Sequence, residues 1–323
     1  MDAMIARVPQ SLRSAFEELR LDDTIAKTTR DLRQHQLRWW ELHSSNPEIG
    51  SIDTDCLRAF QTAASKAGLA ADTVETSISF AMRVIRAAAD EGWIEKAPKR
   101  PKRLISQPTK TRKISLAEFE RFLSAMPQAV QHCRTRSVEW WLAFWAVIYF
   151  TALRRGNVEQ LESRQVSSEV IEVRQFKTGG LLQIPIHPVL KRMLGSLPTV
   201  GRLLRIDRKS LYRITKRAGE IANVVGISPQ SVRALSARQF ERAHPGAGRL
   251  ILGRPFPGAD AYYFDAPEIL RSAIDKLAIP EALLTEEERN HAVDSEKALL
   301  LIFRGLSIDN RATLMTVANS LKR

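Results

Sequence analysis

From Ser137 to Gly156 the chain reads SVEWWLAFWAVIYFTALRRG, and this run constrains the fold more than any other. A helix that is apolar on nearly all sides has no face to give to water, so other elements must enclose it. Its uninterrupted apolar stretch, Trp140 to Tyr149, falls short of the ~20 residues that cross a bilayer. The run is therefore the centre of a folded core. A chain of 323 residues can build that core and at least one further domain. Arg154 closes the run just before Gly156, where a side chain can leave the core and enter a cleft.

Upstream, the pattern from Asp22 to Ala97 is helical throughout. Leu32, Leu37, Trp40 and Leu42 start an apolar stripe, and Asp53-Thr54-Asp55 offers N-caps for CLRAFQTAASKAGL. Asp72 is placed to cap a long helix that carries Val74, Ile78, Ala81, Val84 and Ile85 on one face and ends at Gly92. Lys96 to Lys113, KAPKRPKRLISQPTKTRK, has no acidic residue and is broken by prolines, so it is an extended linker. Past it, Ser115 caps the helix of KISLAEFERFLSAM, which opens the domain built on the apolar run. After Asp265 acidic residues outnumber basic ones, and Thr285 and Ser307 cap amphipathic helices. The expected division is an arm over 1–20, a helical domain over 21–97, a basic linker over 98–113, a second domain over 114–265 and a helical tail over 266–323. The fold class is mainly α with a small β-hairpin.

A net charge of +13 and a pI near 10.1 point to a polyanionic partner, nucleic acid ahead of an acidic membrane. Lys99, Arg100, Lys102 and Arg103 in the linker form one candidate strap on DNA phosphates. The segment GRLLRIDRKSLYRITKRAGEIANVVGI forms a helix with Leu211, Ile214, Ala218 and Ile221 toward the core. Its other face, with Arg208, Lys209, Arg213, Lys216 and Arg217, is a second candidate surface. Both runs also read as plain solvated charge. Cys56 and Cys133 are too few for a disulfide framework and suit a reducing cytoplasm, and no signal peptide opens the chain. No P-loop or dinucleotide fingerprint is present, and the histidines have no metal-ligand spacing.

Downstream of Arg154 the second domain offers three further reactive groups. EVIEVRQFKTGGLLQIPI alternates as a hairpin turning at Gly179-Gly180, with Lys177 at its tip. QSVRALSARQFERAHPGAGRLILGRPFPGADAYY, Gln230 to Tyr263, supplies Arg233, a Leu252-Gly253 turn and Tyr263. Two arginines, a lysine and a tyrosine on separate elements meet the needs of phosphodiester chemistry through a tyrosine nucleophile. The phenol oxygen attacks in line, while fixed cations neutralise charge on the equatorial oxygens.

In order and spacing these segments resemble the catalytic domain of the tyrosine recombinase (phage integrase) family. Thr151-Ala152-Leu153-Arg154 matches the core of the family's T-G-L-R-x-x-E/D-L segment, and Lys177-Thr178-Gly179-Gly180 echoes its K-T-G-K hairpin. QIPIHPVL is similar to its V-P-L-x-P strand. Gln230-Ser231-Val232-Arg233 keeps the arginine of the H-x-x-R box and loses its histidine. Leu252-Gly253-Arg254 likewise lacks the histidine or tryptophan of L-G-H/W, and Asn157 stands where an acidic residue is usual. Tyr263 follows at the family's interval. Upstream, EGWIEKAP resembles the end of the family's helical core-binding domain.

The resemblance implies site-specific cleavage and rejoining of double-stranded DNA through a 3′-phosphotyrosine intermediate, without metal or nucleotide cofactor. Tyr263 would be the nucleophile, Arg154 and Arg233 the phosphate-binding pair and Lys177 the general acid, with Gln230 and Arg254 as positional matches. Tyr262 competes with Tyr263. The family also implies an inverted-repeat site, a dimer or tetramer on DNA, a tail that joins protomers, and a place in the cytoplasm at the nucleoid. The losses at 230, 254 and 157 keep open a catalytically reduced protein that binds DNA as an architectural or regulatory factor.

Overall fold

The computed structural model describes residues 11–19, 21, 27–105, 112–131, 133, 136–174, 180–198, 200–254, 266–290, 303 and 308–320. The chain forms two compact units, Met1–Lys110 and Thr111–Arg323. The first contains α1 (Leu12–Glu18), α2 (Lys27–His43), α3 (Thr54–Lys66) and α4 (Ala71–Asp90). α4 packs on all three other helices. It can do so because Val74, Ile78, Ala81, Val84, Ile85 and Ala88 are joined inside by Phe80 and Met82 on its flanks. Trp40 lies on Phe60 with ring centroids 5.1 Å apart, and Phe16 meets Phe80 edge-on at 5.3 Å. Asp53 caps α3 by accepting from the Cys56 N–H at 2.7 Å, and Gly92 takes the left-handed φ of 73° that ends α4.

Three local readings change. Ser11 and Ser14 form a capping box, and Leu12, Ala15 and Phe16 are buried, so 12–18 is part of the bundle and not of an arm. One turn of apolar residues is too short a pattern to weigh against a polar N-terminus. α4 starts behind Ala70 with no side-chain cap, which puts Asp72 inside the first turn. There its charge faces the positive end of the helix dipole. Leu32 and Leu42 are exposed, leaving Leu37 and Trp40 as the buried part of the α2 stripe.

The first half of the basic linker is folded onto this unit around one carboxylate. Glu75, on α4, accepts from Arg100 Nη2 at 2.8 Å, from the Leu104 N–H at 2.9 Å and from Gln61 Nε2 at 2.8 Å. Arg103 Nε lies 3.6 Å away. Burial pushes the Glu75 carboxyl up, but the Leu104 N–H, Arg100 and Gln61 together hold it below the usual range. A carboxylate held low contributes stability above its unfolded pKa, near ~4.3, and loses it as pH falls through the folded value. The unit is therefore expected to loosen in acid below about pH 4. Glu75→Gln should flatten that dependence at a cost of about 1–3 kcal/mol, read as faster amide exchange in α3 and α4.

The second unit contains α5 (Leu116–Ser124), α6 (Met126–Val130), α7 (Val138–Thr151), α8 (Arg155–Glu159), β1 (Val170–Arg174), β2 (Leu181–Pro185), α9 (Pro188–Gly195), α10 (Arg208–Ile221), α11 (Pro229–Ala243), α12 (Ala247–Ile251), α13 (Ala266–Ile274) and α14 (Ile308–Ser320). It is mainly helical, and among the described residues its one sheet is the antiparallel pair β1–β2, with Ile171 opposite Ile184. α7 is the apolar run, enclosed by α6, α8, α9 and α11. Trp141, Phe144, Trp145, Ile148 and Phe150 are all buried. The buried Tyr149 donates its hydroxyl to the Ala278 carbonyl at 2.6 Å. Burial, and then the charge of Glu120, pushes its phenol well above the usual range.

The core does not stop near 265. Ile269, Leu270, Ala273, Ile274, Leu277 and Leu283 all join it. Arg192 on α9 then holds the next turn, donating to the Leu283 carbonyl at 2.6 Å and pairing with Glu288 at 3.0 Å. Thr285 caps that turn, its Oγ1 accepting from the Glu288 N–H at 3.2 Å. α14, in contrast, leaves Leu314, Met315 and Val317 half exposed. Ser307 lies outside the described residues. Among those described, no helix is long and apolar enough to cross a membrane.

Candidate active site

α7 stops at Thr151 because Ala152 turns into the left-handed region, with φ 47° and ψ 26°. An L-residue other than glycine is strained there by about 1 kcal/mol. The turn is held by the Ala152 N–H on the Ile148 carbonyl at 2.9 Å and by the Leu153 N–H on Thr151 Oγ1 at 3.3 Å. It throws Arg154 out of the core as the N-cap of α8, where its carbonyl accepts from the Asn157 N–H at 2.8 Å. The Arg154 side chain is half-buried.

Arg233 comes from α11, which Ser228 starts with a capping box and Pro229 at its first turn. It is only 6% exposed, a rare position for a cation. Gly253 takes φ 69° at the end of α12, and Arg233 Nη2 donates to the Leu252 carbonyl at 3.3 Å. The Leu252-Gly253 turn therefore seats this guanidinium. Burial first, then the positive charges of Arg154 and Arg254, push the Arg233 pKa down to about 10. Three arginines from α8, α11 and the end of α12 thus act on one another electrostatically, an arrangement that favours an anion. Arg254 itself is exposed, and so is Gln230, one turn before Arg233 on the same helix.

Lys177, Tyr262 and Tyr263 lie outside the described residues. β1 and β2 are the two strands expected to flank Lys177, and β1 is tied to the arginine segment. Asn157 is 4% exposed, and its Nδ2 donates to the carbonyl of Arg174, the last residue of β1, at 3.4 Å. Sequence reading marked Asn157 only as a departure, since a contact seventeen residues away leaves no local signal.

Of the candidate DNA-contacting residues, Arg208, Lys209, Arg213 and Lys216 are exposed along α10 and Arg217 is half-buried. Leu211, Ile214 and Ala218 point inward as expected, whereas Ile221 is 38% exposed and Thr215 takes a core place. Beside this face lies a cleft of about 710 Å³ lined by Arg155, Arg208, Tyr212, Thr215, Lys216 and the 223–229 loop. In the linker, Lys99 and Lys102 are exposed, while Arg100 and Arg103 are shared with Glu75. The strap offers fewer free cations than its composition suggests.

Neither a protein-family model nor a curated protein matches the chain. Solved structures do. A lambda integrase dimer bound to a COC′ core site is similar over 79% of this chain and 94% of that one, at 18% identity and a TM-score of 0.61. A lambda integrase tetramer bound to a Holliday junction covers 80% and 78%, at 17% identity and a TM-score of 0.62. The Tn1549 transposon integrase in complex with circular intermediate DNA covers 88% of this chain and 99% of that one, at 13% identity and a TM-score of 0.59. At such identities the likeness is one of fold. The chain has the fold of the tyrosine recombinases.

Proposed function

We propose that this protein is a tyrosine recombinase that cleaves and rejoins specific double-stranded DNA through a phosphotyrosine intermediate. The observation that carries the reading is Arg233, only 6% exposed on α11 and seated on the Leu252 carbonyl at 3.3 Å, its guanidinium disfavoured by burial and by the charges of Arg154 and Arg254. A scissile phosphate is an anion that such a cluster fits. Guanidinium forks bind two non-bridging oxygens at once, a geometry that lysine lacks. In the cleavage step the Tyr263 phenol loses its proton to solvent, its oxygen bonds to phosphorus, and the bond to the 5′-oxygen breaks. Lys177 gives a proton to that leaving oxygen, and the arginines hold the charge of the pentacoordinate state. The 3′-phosphotyrosine keeps the bond energy for resealing by a second 5′-hydroxyl.

The structural neighbours were solved on DNA as a dimer and a tetramer. That supports binding to an inverted-repeat site by two to four protomers, with the first unit as the DNA-clamping domain and the second as the catalytic domain. The exposed cations of α10, with Lys99 and Lys102, would lie on phosphates. The exposed apolar side chains of α14 support a role for the far tail in joining protomers. Such a protein works in the cytoplasm, at the nucleoid.

The test is a nicked duplex that loses its short 5′-hydroxyl fragment after cleavage, built on a site selected from randomised DNA by the protein itself. A denaturant-resistant adduct is expected, and peptide mapping should place it on Tyr263. Specific binding without an adduct at any pH would favour the reduced, architectural reading, which the exchange of titratable histidines for Gln230 and Arg254 supports.

A further inference from the structure

α12 is a helix of five residues with no side-chain cap at its own N-cap position. Its N-terminal donors are satisfied from α11 instead. Glu241 accepts from the Gly246 N–H at 3.0 Å and from the Gly248 N–H at 3.1 Å, one on each carboxylate oxygen. A charged acceptor on two otherwise orphan backbone donors makes a strong and well-directed pair of bonds. The other end of α12 is tied to the same helix, where Arg233 Nη2 donates to the Leu252 carbonyl at 3.3 Å. Arg233 and Glu241 stand about two turns apart on α11, so that helix brackets α12 at both ends. Between the two ties the backbones close up. A Cβ at Gly248 would run into the Ala237 carbonyl oxygen, so α12 lies as near to α11 as glycine allows.

We propose that Glu241 is a positioning residue: by holding the start of α12 it sets the Leu252 carbonyl, and through that carbonyl the Arg233 guanidinium. The proposal rests on the reading of Arg233 as a phosphate-binding residue. Glu241 is exposed and acts through α12 alone. Its removal would leave two N–H donors without their acceptor, one of them on the buried Gly248. Water reaches that donor only if α12 shifts away from α11, and the Leu252 carbonyl shifts with it. A guanidinium misplaced by ~1 Å costs about 10²-fold in cleavage. The capping box of α11 and the exposed cations of α10 are untouched, so DNA binding stays as it was.

A methylphosphonate at the scissile position separates positioning from folding, because it lacks the negative charge that a guanidinium neutralises. Nicked duplexes of the selected site, with phosphate or methylphosphonate there, are cleaved by the full-length protein and four variants. Each rate is taken relative to the native protein on the same duplex. Arg233→Met should be about 10³-fold slow on phosphate and close to native on methylphosphonate. Glu241→Ala should lose about 10²-fold on phosphate and recover likewise on methylphosphonate, with DNA affinity unchanged. Glu241→Gln keeps one acceptor oxygen and sets an amide NH₂ against the second N–H, so its loss should be smaller. Gly248→Ala forces α12 off α11 by a different route and should follow Glu241→Ala. Native rates in Glu241→Ala would overturn the role given to Glu241. So would equal losses on the two duplexes for Glu241→Ala and Gly248→Ala with Arg233→Met still recovered, and either result leaves the phosphate reading standing. Failure of methylphosphonate to narrow the Arg233→Met deficit would overturn the phosphate reading itself, and this positioning with it.

Discussion

Arg233→Met should cut strand cleavage by about 10³-fold and at the same time make the second unit more stable, by about 1–2 kcal/mol. The two effects have one cause. Arg233 is buried, and its pKa is lowered to about 10 by burial and by the charges of Arg154 and Arg254. A cation whose folded pKa is depressed costs stability at every pH below that value. The cost is recovered only as pH rises through about 10 toward the ordinary arginine range, so at neutral pH the native protein carries it in full. Methionine fills similar space on α11 without the charge and gives up the 3.3 Å contact with the Leu252 carbonyl. Inorganic phosphate should raise the melting temperature of the native protein and leave Arg233→Met nearly unmoved, since the anion relieves a repulsion the variant lacks. Arg233→Lys keeps the charge but not the fork, and should remain nearly as slow in cleavage. A less stable Arg233→Met would instead mean that the Leu252 contact is what matters and the cation is structural.

How much of this was legible beforehand depended on whether the deciding contact is local. The apolar run of α7, the Ser115 cap and the alternation of β1 and β2 are short-range patterns, and they stand where the sequence put them. Arg154 and Arg233 were singled out from their segments, and the structure adds that Arg233 is buried and electrostatically affected by Arg154 and Arg254; their roles remain part of the proposal. The Glu75 hub was not legible. Its partners Gln61, Arg100 and Leu104 lie 14 to 29 residues away, and a basic stretch with prolines reads as free linker until a carboxylate is found beneath it. The same holds for the end of the second core, where Ile269, Leu270 and Ile274 follow a change in charge that looked like a boundary. Charge balance reports on the surface, and burial is set by side chains that composition averages away.

Tyr263→Phe should abolish the covalent adduct completely while leaving DNA affinity and melting temperature unchanged, since only the attacking oxygen is removed. An ordinary tyrosine, with a pKa near ~10, is almost wholly protonated at neutral pH and needs help to attack. In the family a histidine near the phosphate can take or give a proton. Here the corresponding places hold Gln230, which cannot titrate, and Arg254, which is permanently charged. On the proposed mechanism the arginines would therefore activate the phenol through charge alone, by favouring its anion at the phosphate. Cleavage by the native protein should accordingly rise with pH without a histidine-type inflection between about pH 6 and 7. Gln230→His should introduce that inflection and match or exceed the native rate. Tyr262→Phe, the neighbouring control, should retain the adduct. An adduct that survives Tyr263→Phe and vanishes in Tyr262→Phe would move the nucleophile by one residue, and an inflection near pH ~6.5 in the native protein would require a titrating group other than Gln230 and Arg254.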